Sequence, residues 1–429
     1  MGQTEPTLDD LIERDQRAIG CPYPIFAELR EESPVHFSDT LGAWVCTRYD
    51  DIKAVLHDTD RFSSAMPTGP GNLGAILADA IGELSQDPSM AETLAKVMSG
   101  RGQATVLLNA DPPDHRRQRL SVNKAFRPAR LRGMEPMIED VAAHLLDPIA
   151  PRGRMEVVGD FAVGLPMTII AKALGVGESD LHTFKRWSDD LVMPVGNHAP
   201  SVEQVRGYLT STAEFNDFFG DLLEKRRLDP REDIISDVAT AEIDGTELSE
   251  AEKLGMLQQF LVAGNETTTK LLTNLVHHLA TDLRLEQQLR DDPSLIEVAV
   301  EEALRIEAPV GGLFRQAKVD VEVGDQLVAA GEHVWVLFAA GNRDAAHFED
   351  PDAFDACRRN VRDHLAFGHG EHFCIGAQLA RSEAKIALEQ ILARMTDFRL
   401  VEDHPPFEYE DTFVLRGLKA LHVAFDPIG

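Results

Sequence analysis

The chain has 429 residues, of which 43% are hydrophobic and 27% are charged, a composition typical of globular proteins and not of disordered or fibrous ones. Its 72 acidic and 42 basic side chains give a formal charge of −30, which would repel nucleic-acid phosphates and anionic lipids over most of the surface. Composition and charge therefore argue against a general nucleic-acid binder.

The N-terminal residues and the hydropathy pattern predict a cytoplasmic protein that does not cross a membrane. Glu5 and Asp9 stand where a signal peptide would be basic and then apolar. The best candidate for a membrane span, residues 161–177, is interrupted by Pro166 and Lys172.

Helical periodicity predominates along the chain, so we expect a mainly α protein with small β-sheets. Short strand-like runs are predicted at residues 34–37, 43–47, 320–323, 333–338 and 421–425. Residues 63–108 carry glycine, proline and small side chains around helical fragments, and we expect them to form a mobile segment on the surface or over a pocket. No repeat or long linker divides the chain, which predicts one continuous domain over residues 1–429.

A basic segment, residues 115–132, contains seven lysines and arginines and no acidic side chain. Its helix opens after two prolines, and His115 and Arg119 share one face, where both can reach one anionic ligand. Arg116 and Arg117 point away from that face. We interpret the segment as a docking surface for a small acidic partner; the alternative is a solvated helix face.

A helix of more than thirty residues is predicted from Ser249, which forms a capping box with Glu252. Within it, residues 263–269 read Ala-Gly-Asn-Glu-Thr-Thr-Thr, a glycine followed by an acid and three β-branched hydroxyl residues. We expect the helix to loosen locally there. Packing or contact with solvent is the expected role of Thr268, Thr269, His277 and His278.

The most informative segment is residues 367–376, Phe-Gly-His-Gly-Glu-His-Phe-Cys-Ile-Gly, called the cysteine loop below. Two glycines allow a tight turn before Cys374 at the start of a helix, where backbone N–H groups and the helix dipole favour the thiolate, the form that ligates a metal. His372 as an alternative iron or zinc ligand lacks a spaced partner. Small buried apolar side chains are the expected role of the other cysteines, Cys21, Cys46 and Cys357.

Two further features are predicted to be helical: the segment after the cysteine loop and an earlier segment with a pair of oppositely charged residues. An apolar stripe at helical spacing follows the loop and consists of Ala380, Ala384, Ala387, Leu388, Ile391 and Leu392. Glu302 and Arg305, three residues apart on a predicted helix, can form a charge-assisted pair.

Taken together, these motifs resemble those of the cytochrome P450 family. The fixed positions of its haem-ligand loop, Phe-Gly-x-Gly-x-His-x-Cys-x-Gly, are met by Phe367, Gly368, Gly370, His372, Cys374 and Gly376. Residues 263–269 resemble its oxygen-activation motif, and residues 111–119 resemble its Asp-Pro-Pro-Asp-His-x-x-x-Arg run. Residues 341–348 resemble its Asn-Arg-Asp-Pro run, with Ala345 where proline is common. The resemblance implies the P450 fold, a single large helical domain with small sheets, and haem b.

The resemblance also implies roles for individual residues. Cys374 would be the axial thiolate ligand of the haem iron, with Gly376 letting the haem lie against the backbone. The haem propionates would be bound by His115, Arg119, Arg315 and His372. The remaining contacts with the haem would come from Ala263, Gly264, Phe367 and Gly368.

In the segment that resembles the oxygen-activation motif, Thr267 would hydrogen-bond the iron-bound oxygen, and Glu266 would relay protons from solvent. Glu302 and Arg305 would form a structural cluster with an arginine that precedes the cysteine loop. Arg358 is the candidate for that arginine, and Arg343 is the alternative.

By the same correspondence, the substrate pocket would be mainly small and aliphatic. It would be lined by Leu107, Leu108, Gln259, Val262, Ala263, Val310, Gly311, Leu313, Val414 and Leu415. Such a pocket favours a hydrophobic substrate, such as a terpenoid, a steroid or a fatty acyl compound, with Gln259 as a polar anchor.

The resemblance thus implies a monomeric monooxygenase that inserts one oxygen atom from O2 into a C–H bond or an alkene. No flavin or nicotinamide motif is present in the sequence, so the electrons would come from an iron–sulfur ferredoxin and its reductase, with Arg116 and Arg117 as docking residues. The alternatives are a peroxygenase driven by H2O2 and a haem-binding sensor or carrier without turnover.

Overall fold

A computed structural model describes residues 5–70, 73–177, 180–197, 199–243 and 245–428. Helices predominate, as expected. The α-helices are α1 (Leu8–Ile12), α2 (Gln16–Gly20), α3 (Tyr23–Glu32), α4 (Tyr49–His57), α5 (Leu73–Leu84), α6 (Ala91–Met98), α7 (Asp114–Val122), α8 (Pro128–Leu146), α9 (Gly164–Leu174), α10 (Leu181–Val192), α11 (Val202–Leu228), α12 (Ile234–Ala239), α13 (Glu250–Thr281), α14 (Leu285–Asp291), α15 (Leu295–Ile306), α16 (Phe338–Gly341) and α17 (Ala377–Arg394).

The strands are short and form small sheets at the side of the helical body. They are β1 (Val35–Ser38), β2 (Ala43–Cys46), β3 (Phe62–Ser63), β4 (Arg154–Glu156), β5 (Glu242–Ile243), β6 (Thr246–Glu247), β7 (Leu313–Ala317), β8 (Val321–Val323), β9 (Gln326–Val328), β10 (His333–Val336), β11 (Met395–Leu400) and β12 (His422–Pro427). One sheet has the order β1-β2-β10-β7-β3 and another has the order β11-β12-β4, while β5-β6 and β8-β9 are hairpins.

All five predicted strand runs coincide with observed strands, but seven of the twelve strands in the described ranges were not predicted. Among these seven, β7 positions a predicted site residue. Its sequence, Leu-Phe-Arg-Gln-Ala, does not alternate polar and apolar residues, and it becomes a strand because it pairs with β10 on one side and β3 on the other. This pairing carries Arg315 into the protein, with only 4% of the residue exposed.

Helix α13 confirms the predicted start and length. The Ser249 hydroxyl accepts from the Glu252 amide at 3.2 Å, and the Glu252 carboxylate accepts from the Ser249 amide at 2.9 Å. The helix then runs for 32 residues. The expected local loosening at residues 263–269 is wrong, because α13 stays α-helical through this segment and the Thr267 hydroxyl bonds back to the Ala263 carbonyl within it.

Helix α17 packs along α8, α13 and α15 and carries the predicted apolar stripe. Ala384, Ala387 and Leu388 are buried in the largest apolar cluster, which also contains residues of α8, α13 and α15. This packing fixes the helix that directly follows the cysteine loop.

Residues 63–108 have an apolar cluster of their own, which the expectation of a mobile segment did not anticipate. Leu77 and Leu84 of α5 and Val97 of α6 pack against Val205 and Leu209 of α11. Residues 71 and 72 lie outside the described residues.

Two further expectations can be compared with the described residues. Among them, no helix is both long enough and apolar enough to cross a membrane. Cys46 is buried as expected, but Cys21 and Cys357 are exposed, so the expectation of burial is wrong for these two.

Candidate active site

Four basic side chains from three distant segments converge at one place. His115 and Arg119 lie on α7, Arg315 lies on β7, and His372 belongs to the cysteine loop. The imidazole rings of His115 and His372 have centroids 3.9 Å apart. We call His115, Arg119, Arg315 and His372 the cationic cluster.

Among the described residues, no carboxylate lies within hydrogen-bond distance of the cationic cluster. His115 Nδ1 and His372 Nε2 are buried without any hydrogen bond, and Arg315 Nη1 donates only to its neighbouring Phe314 carbonyl at 2.8 Å. The Glu371 carboxylate lies 4.0 Å from His115 Nδ1, too far for a hydrogen bond. Such unsatisfied donors are costly in a protein interior unless an anion binds there.

Burial and mutual repulsion both act on these groups. Burial, followed by the charges of Arg315, His115 and Arg119, lowers the pKa of His372 to about 2. Burial also lowers the pKa of Arg315 to about 10, although Asp111 acts in the opposite direction. His372 is therefore neutral near pH 7, and the positive charge of the cluster comes from Arg119 and Arg315.

The cysteine loop has the tight turn that its glycines predict. Gly368 and Gly370 have φ angles of 67° and 73°, in the left-handed region that favours glycine. A side chain at Gly370 would also come within 2.9 Å of the Leu56 carbonyl oxygen. The loop closes through a 2.9 Å hydrogen bond that the Cys374 amide donates to the Phe367 carbonyl, directly before α17 begins.

The protonation of Cys374 is a balance of opposing effects. Burial is the largest and raises the pKa of the thiol above its ordinary value, whereas the amides of Gly376 and Ala377 and the charges of Arg119 and Arg381 lower it. The amides at the helix N-terminus thus favour the thiolate, as expected, but burial opposes them. A metal ion bonded to the sulfur would reverse the balance, because coordination deprotonates a thiol.

On α13, the predicted oxygen-binding residues occupy different environments. Ala263 is exposed although it lies in the middle of a largely buried helix, and Thr267 Oγ1 donates to its carbonyl at 2.8 Å. Gly264 has another neighbour, because a Cβ at this position would meet the Ile170 side chain of α9 at 3.3 Å. The close approach that Gly264 permits is therefore to a neighbouring helix.

Glu266 is held by two lysines. Lys270 Nζ lies 3.1 Å from one carboxylate oxygen and Lys185 Nζ lies 3.8 Å from the other. Burial raises the pKa of Glu266, but Lys270 and Lys185 outweigh it, so that the pKa lies below its ordinary value. Glu266 and Lys270 line a cavity of about 320 Å³ together with residues of α10 and the C-terminal segment.

Glu302 is the centre of a fully buried ion cluster. Arg305 donates to both of its carboxylate oxygens, at 2.7 and 2.8 Å, and Arg358 Nε donates at 3.0 Å. Arg343, the alternative third member, instead donates to the Ile306 carbonyl at 2.9 Å. The cluster joins α15 to the segment that precedes the cysteine loop.

Two of the residues expected to line the substrate pocket instead make contacts within the protein. The Gln259 amide donates to the Val106 carbonyl at 2.8 Å and accepts from the Leu108 amide at 3.2 Å, so the expectation of a free polar anchor is wrong. Val414 is fully buried in an apolar cluster with no exposed surface, so it is a core residue.

The other expected pocket residues form two groups. Leu107 is buried beside α13, Val262 packs against the same apolar cluster, and Leu108 is exposed. Val310 and Leu415 face each other in a β-bridge. Beside them, Gly311 donates to the Val414 carbonyl at 2.7 Å, and Leu313 begins β7.

The two arginines expected to dock the partner differ in exposure and in ion pairing. Arg116 is exposed and, within the described ranges, has no ion-pair partner. Arg117 pairs with Glu252 on α13 and lies 3.5 Å from Asp114, so its charge is compensated by acidic neighbours.

The motifs did not predict the roles of Lys270 and Lys185, nor a largely buried ion cluster of Glu301, His364 and Arg381. The spacing of four residues between Glu266 and Lys270 was a usable signal for Lys270. The other contacts join residues far apart in the chain, for which the sequence has no local signal.

Comparison with known proteins agrees with this geometry. The family model described as Cytochrome P450 matches residues 77–293 and 293–422. The chain belongs to the cytochrome P450 family. Its P450 fold and its membership of an oxidoreductase family follow, and members of this family bind haem b.

Three similar P450 proteins extend the comparison. Cytochrome P450 107B1 from Saccharopolyspora erythraea is 37% identical, over 98% of this chain and 99% of its own. Steroid C26-monooxygenase from Mycobacterium tuberculosis is 34% identical, over 83% of this chain and 95% of its own. The structure of cytochrome P450 CYP109Q5 from Chondromyces apiculatus has a TM-score of 0.81 and 36% identity, and the match covers 97% of this chain and 98% of that one. The chain is therefore a P450 monooxygenase.

Proposed function

We propose that this P450 is a haem–thiolate monooxygenase that oxidises a small hydrophobic molecule with electrons from a ferredoxin. The observation that carries the proposal is the cationic cluster with its orphaned buried nitrogens, next to the cysteine loop. Haem b presents two propionates, whose oxygens can accept hydrogen bonds from the buried nitrogens of His115 and His372 and from the guanidinium groups of Arg119 and Arg315.

Cys374 fits the role of metal ligand. Its side chain is accessible to solvent. The protein around it is nevertheless dense enough for burial to raise the pKa of the thiol, which is the environment of a group that lines an internal cavity. Within the described part of the chain, a Cβ at Gly376 would meet the Cys374 sulfur at 3.9 Å and no other atom within 4 Å, so the backbone leaves room for a flat ligand beside the sulfur. When bound, haem b supplies the activation of O2 and the transfer of one oxygen atom to the substrate.

The α13 residues would position and move protons. Because Thr267 donates its hydroxyl proton to the Ala263 carbonyl, its oxygen keeps lone pairs that can accept a hydrogen bond. Glu266 is ionised by its lysine partners, and a carboxylate in this state can take up a proton from solvent. Glu266 next to Thr267 would then serve as the proton relay of a reaction with O2.

The substrate proposal rests on apolar side chains. Leu107, Val262, Val310, Leu313 and Leu415 are aliphatic, which favours a terpenoid, a steroid or a fatty acyl compound. Leu415 also lines the cavity that contains Glu266 and Lys270. A steroid also has the support of one relative, whose name assigns it a steroid substrate.

The electron donor is proposed from charge. Arg116, Arg127 and Arg132 are exposed cations on an otherwise acidic protein. Such a patch steers an acidic partner to one place and raises the encounter rate. An iron–sulfur ferredoxin, reduced in turn by its reductase, matches this surface.

Replacement of Cys374 tests the ligand assignment. Cys374→Ala should abolish the carbon monoxide difference spectrum of a thiolate-ligated haem, whereas Cys357→Ala, which removes an exposed cysteine, should leave it unchanged. A Cys374→Ala protein with the wild-type spectrum would refute the assignment.

A second experiment separates an oxygenase from a peroxygenase. Thr267→Ala should retain haem but divert ferredoxin-derived electrons from product to H2O2, because the hydroxyl beside Ala263 is lost. Product formed from H2O2 alone at the O2-dependent rate would favour the peroxygenase instead.

A further inference from the structure

Neighbouring carboxylates on α15 serve two different ion clusters. Glu302 binds Arg305 and Arg358, as described above. Glu301, the preceding residue, faces another way and binds Arg381 of α17 and His364, which lies just before the cysteine loop. No part of the proposed haem chemistry uses this second cluster.

The second cluster is buried and geometrically specific. Arg381 donates through Nε to one Glu301 oxygen at 2.6 Å and through Nη2 to the other at 2.9 Å. This bidentate arrangement requires the planar fork of an arginine. The side chains of Glu301 and His364 are 4% and 1% exposed and that of Arg381 is 24% exposed, so solvent reaches the cluster only from the arginine.

The hydrogen bonds also assign the tautomer of His364. Its Nδ1 lies 3.2 Å from the Ala366 amide, a donor, and must therefore be the acceptor. The proton is then on Nε2, which donates to Glu301 at 2.9 Å. A neutral His364 thus links Glu301 to the backbone at the entrance to the cysteine loop.

A continuous path leads from this cluster to the proposed ligand. The Arg381 guanidinium lies over the Phe367 ring at 4.6 Å from its centroid. The Phe367 carbonyl accepts the 2.9 Å hydrogen bond from the Cys374 amide. The position of Phe367 therefore affects both ends of the turn that presents the sulfur.

We infer that Glu301, His364 and Arg381 form a positioning network that holds Phe367, and through it the Cys374 sulfur, in the orientation needed for thiolate ligation. The inference rests on the proposed haem–thiolate function. Arg381 contributes the bidentate bond to Glu301 on α15 and the stacking of its guanidinium on Phe367.

The test compares two bonds between the same pair of helices. Arg381→Gln breaks the buried link between α17 and α15, while Lys385→Gln breaks an exposed one, the 2.7 Å pair of Lys385 with Glu297. In the ferrous carbon monoxide complex of the holoenzyme, Arg381→Gln should convert from the thiolate to the thiol form roughly tenfold faster than wild type, because the charge-assisted hydrogen bonds to Glu301 are lost. Its reduction potential should fall, because a positive charge near the sulfur is removed.

Lys385→Gln should leave both the conversion rate and the potential at the wild-type values. Arg381→Lys keeps the charge without the fork and should lie between Arg381→Gln and wild type. Equal behaviour of Arg381→Gln and Lys385→Gln would overturn the network. A change in unfolding midpoint alone, with both spectroscopic readouts unchanged, would also overturn it.

A second variant covers the case in which Arg381→Gln does not fold. Phe367→Leu removes the ring beneath the guanidinium and leaves the ion pairs in place. It should speed the same conversion by a smaller factor, and an unchanged rate would contradict the path through Phe367. A wild-type protein without the thiolate spectrum would refute the proposed function itself, whereas a normal wild type with unaltered variants refutes only the network.

Discussion

The ammonium group of Lys270 lies 3.1 Å from the carboxylate of Glu266, one turn away on α13. The Lys270 side chain is almost completely buried, so this pair is only weakly screened by solvent. A side chain at Gly417 would clash with the aliphatic stem of Lys270, since its Cβ would lie within 3.0 Å of the stem carbons. The glycine therefore makes room for the lysine that fixes the charge of the proposed proton relay.

Lys270→Gln should move the acid side of the rate–pH profile to higher pH. Lys270 is the largest influence that lowers the pKa of Glu266, and burial, which raises it, is left in place. Glu266 then binds its proton at a higher pH, so the ionised form needed for proton uptake is lost earlier on acidification. Steady-state turnover between acid and neutral pH measures the shift.

Lys185→Gln is the matched control. Lys185 is farther from Glu266, at 3.8 Å, and its side chain is more exposed than that of Lys270. Its removal should shift the profile in the same direction by less. Identical profiles for wild type and Lys270→Gln would argue against Glu266 as the relay.

Arg358→Met should destabilise the fold by about 3 kcal/mol, the cost of removing one partner from a buried ion cluster. Glu302 has no exposed surface, and Arg358 also donates to the Ala353 carbonyl at 3.2 Å. Arg359→Met, at the exposed neighbouring position, should change the free energy of unfolding by less than about 0.5 kcal/mol. Denaturant unfolding of the holoenzymes makes the comparison, and equal midpoints would contradict a stabilising role for Arg358.

Glu383→Gln should flatten the pH dependence of stability. Burial raises the pKa of Glu383 to about 8, and its Oε2 makes no hydrogen bond. The folded protein therefore keeps a proton that the unfolded chain loses above about pH 4.5, the ordinary value. Between these two pH values the wild-type free energy of unfolding should fall with rising pH, by up to about 1.4 kcal/mol per unit.

Glutamine cannot ionise, so the variant should lack this part of the slope. Glu322→Gln, at an exposed position on β8, should retain it. Unfolding midpoints measured between pH 5 and pH 8 provide the comparison. The explanation fails if Glu383→Gln and wild type show parallel pH curves.

Arg116→Gln should slow ferredoxin-dependent reduction more than Arg117→Gln does. The Arg116 charge is exposed, whereas the Arg117 charge is compensated by Glu252. The difference should be largest at low ionic strength and should shrink as added salt screens the surface. Stopped-flow reduction by a ferredoxin measures it, and equal rates of both variants and wild type at low salt would remove the docking proposal.

Local patterns in the sequence predicted the elements that depend on neighbouring residues. The Ser249 capping box and the glycines of the cysteine loop determine nearby backbone geometry directly, and both predictions agree with the structure. The P450 fold followed from motifs of this kind, and the family comparison confirms it.

Contacts between distant segments could not be predicted in the same way. The partners of Gln259 lie about 150 residues earlier in the chain, and Glu301 is 80 residues from Arg381. Arg117 has its acidic partner on α13 rather than within its own basic segment. Such pairings depend on how helices pack, and helical periodicity gives the buried face of a helix without identifying the neighbour that covers it.

The side chain of Gln259 has a consequence for the movement of small molecules through the protein. Its amide binds the backbone on both sides of Leu107, so the segment at residues 106–109 is tied to α13 one turn before Ala263. This segment cannot swing outward without breaking those bonds or pulling on the helix. Entry of a small molecule past residues 106–109 would therefore also displace the part of α13 near Ala263, where oxygen is proposed to bind.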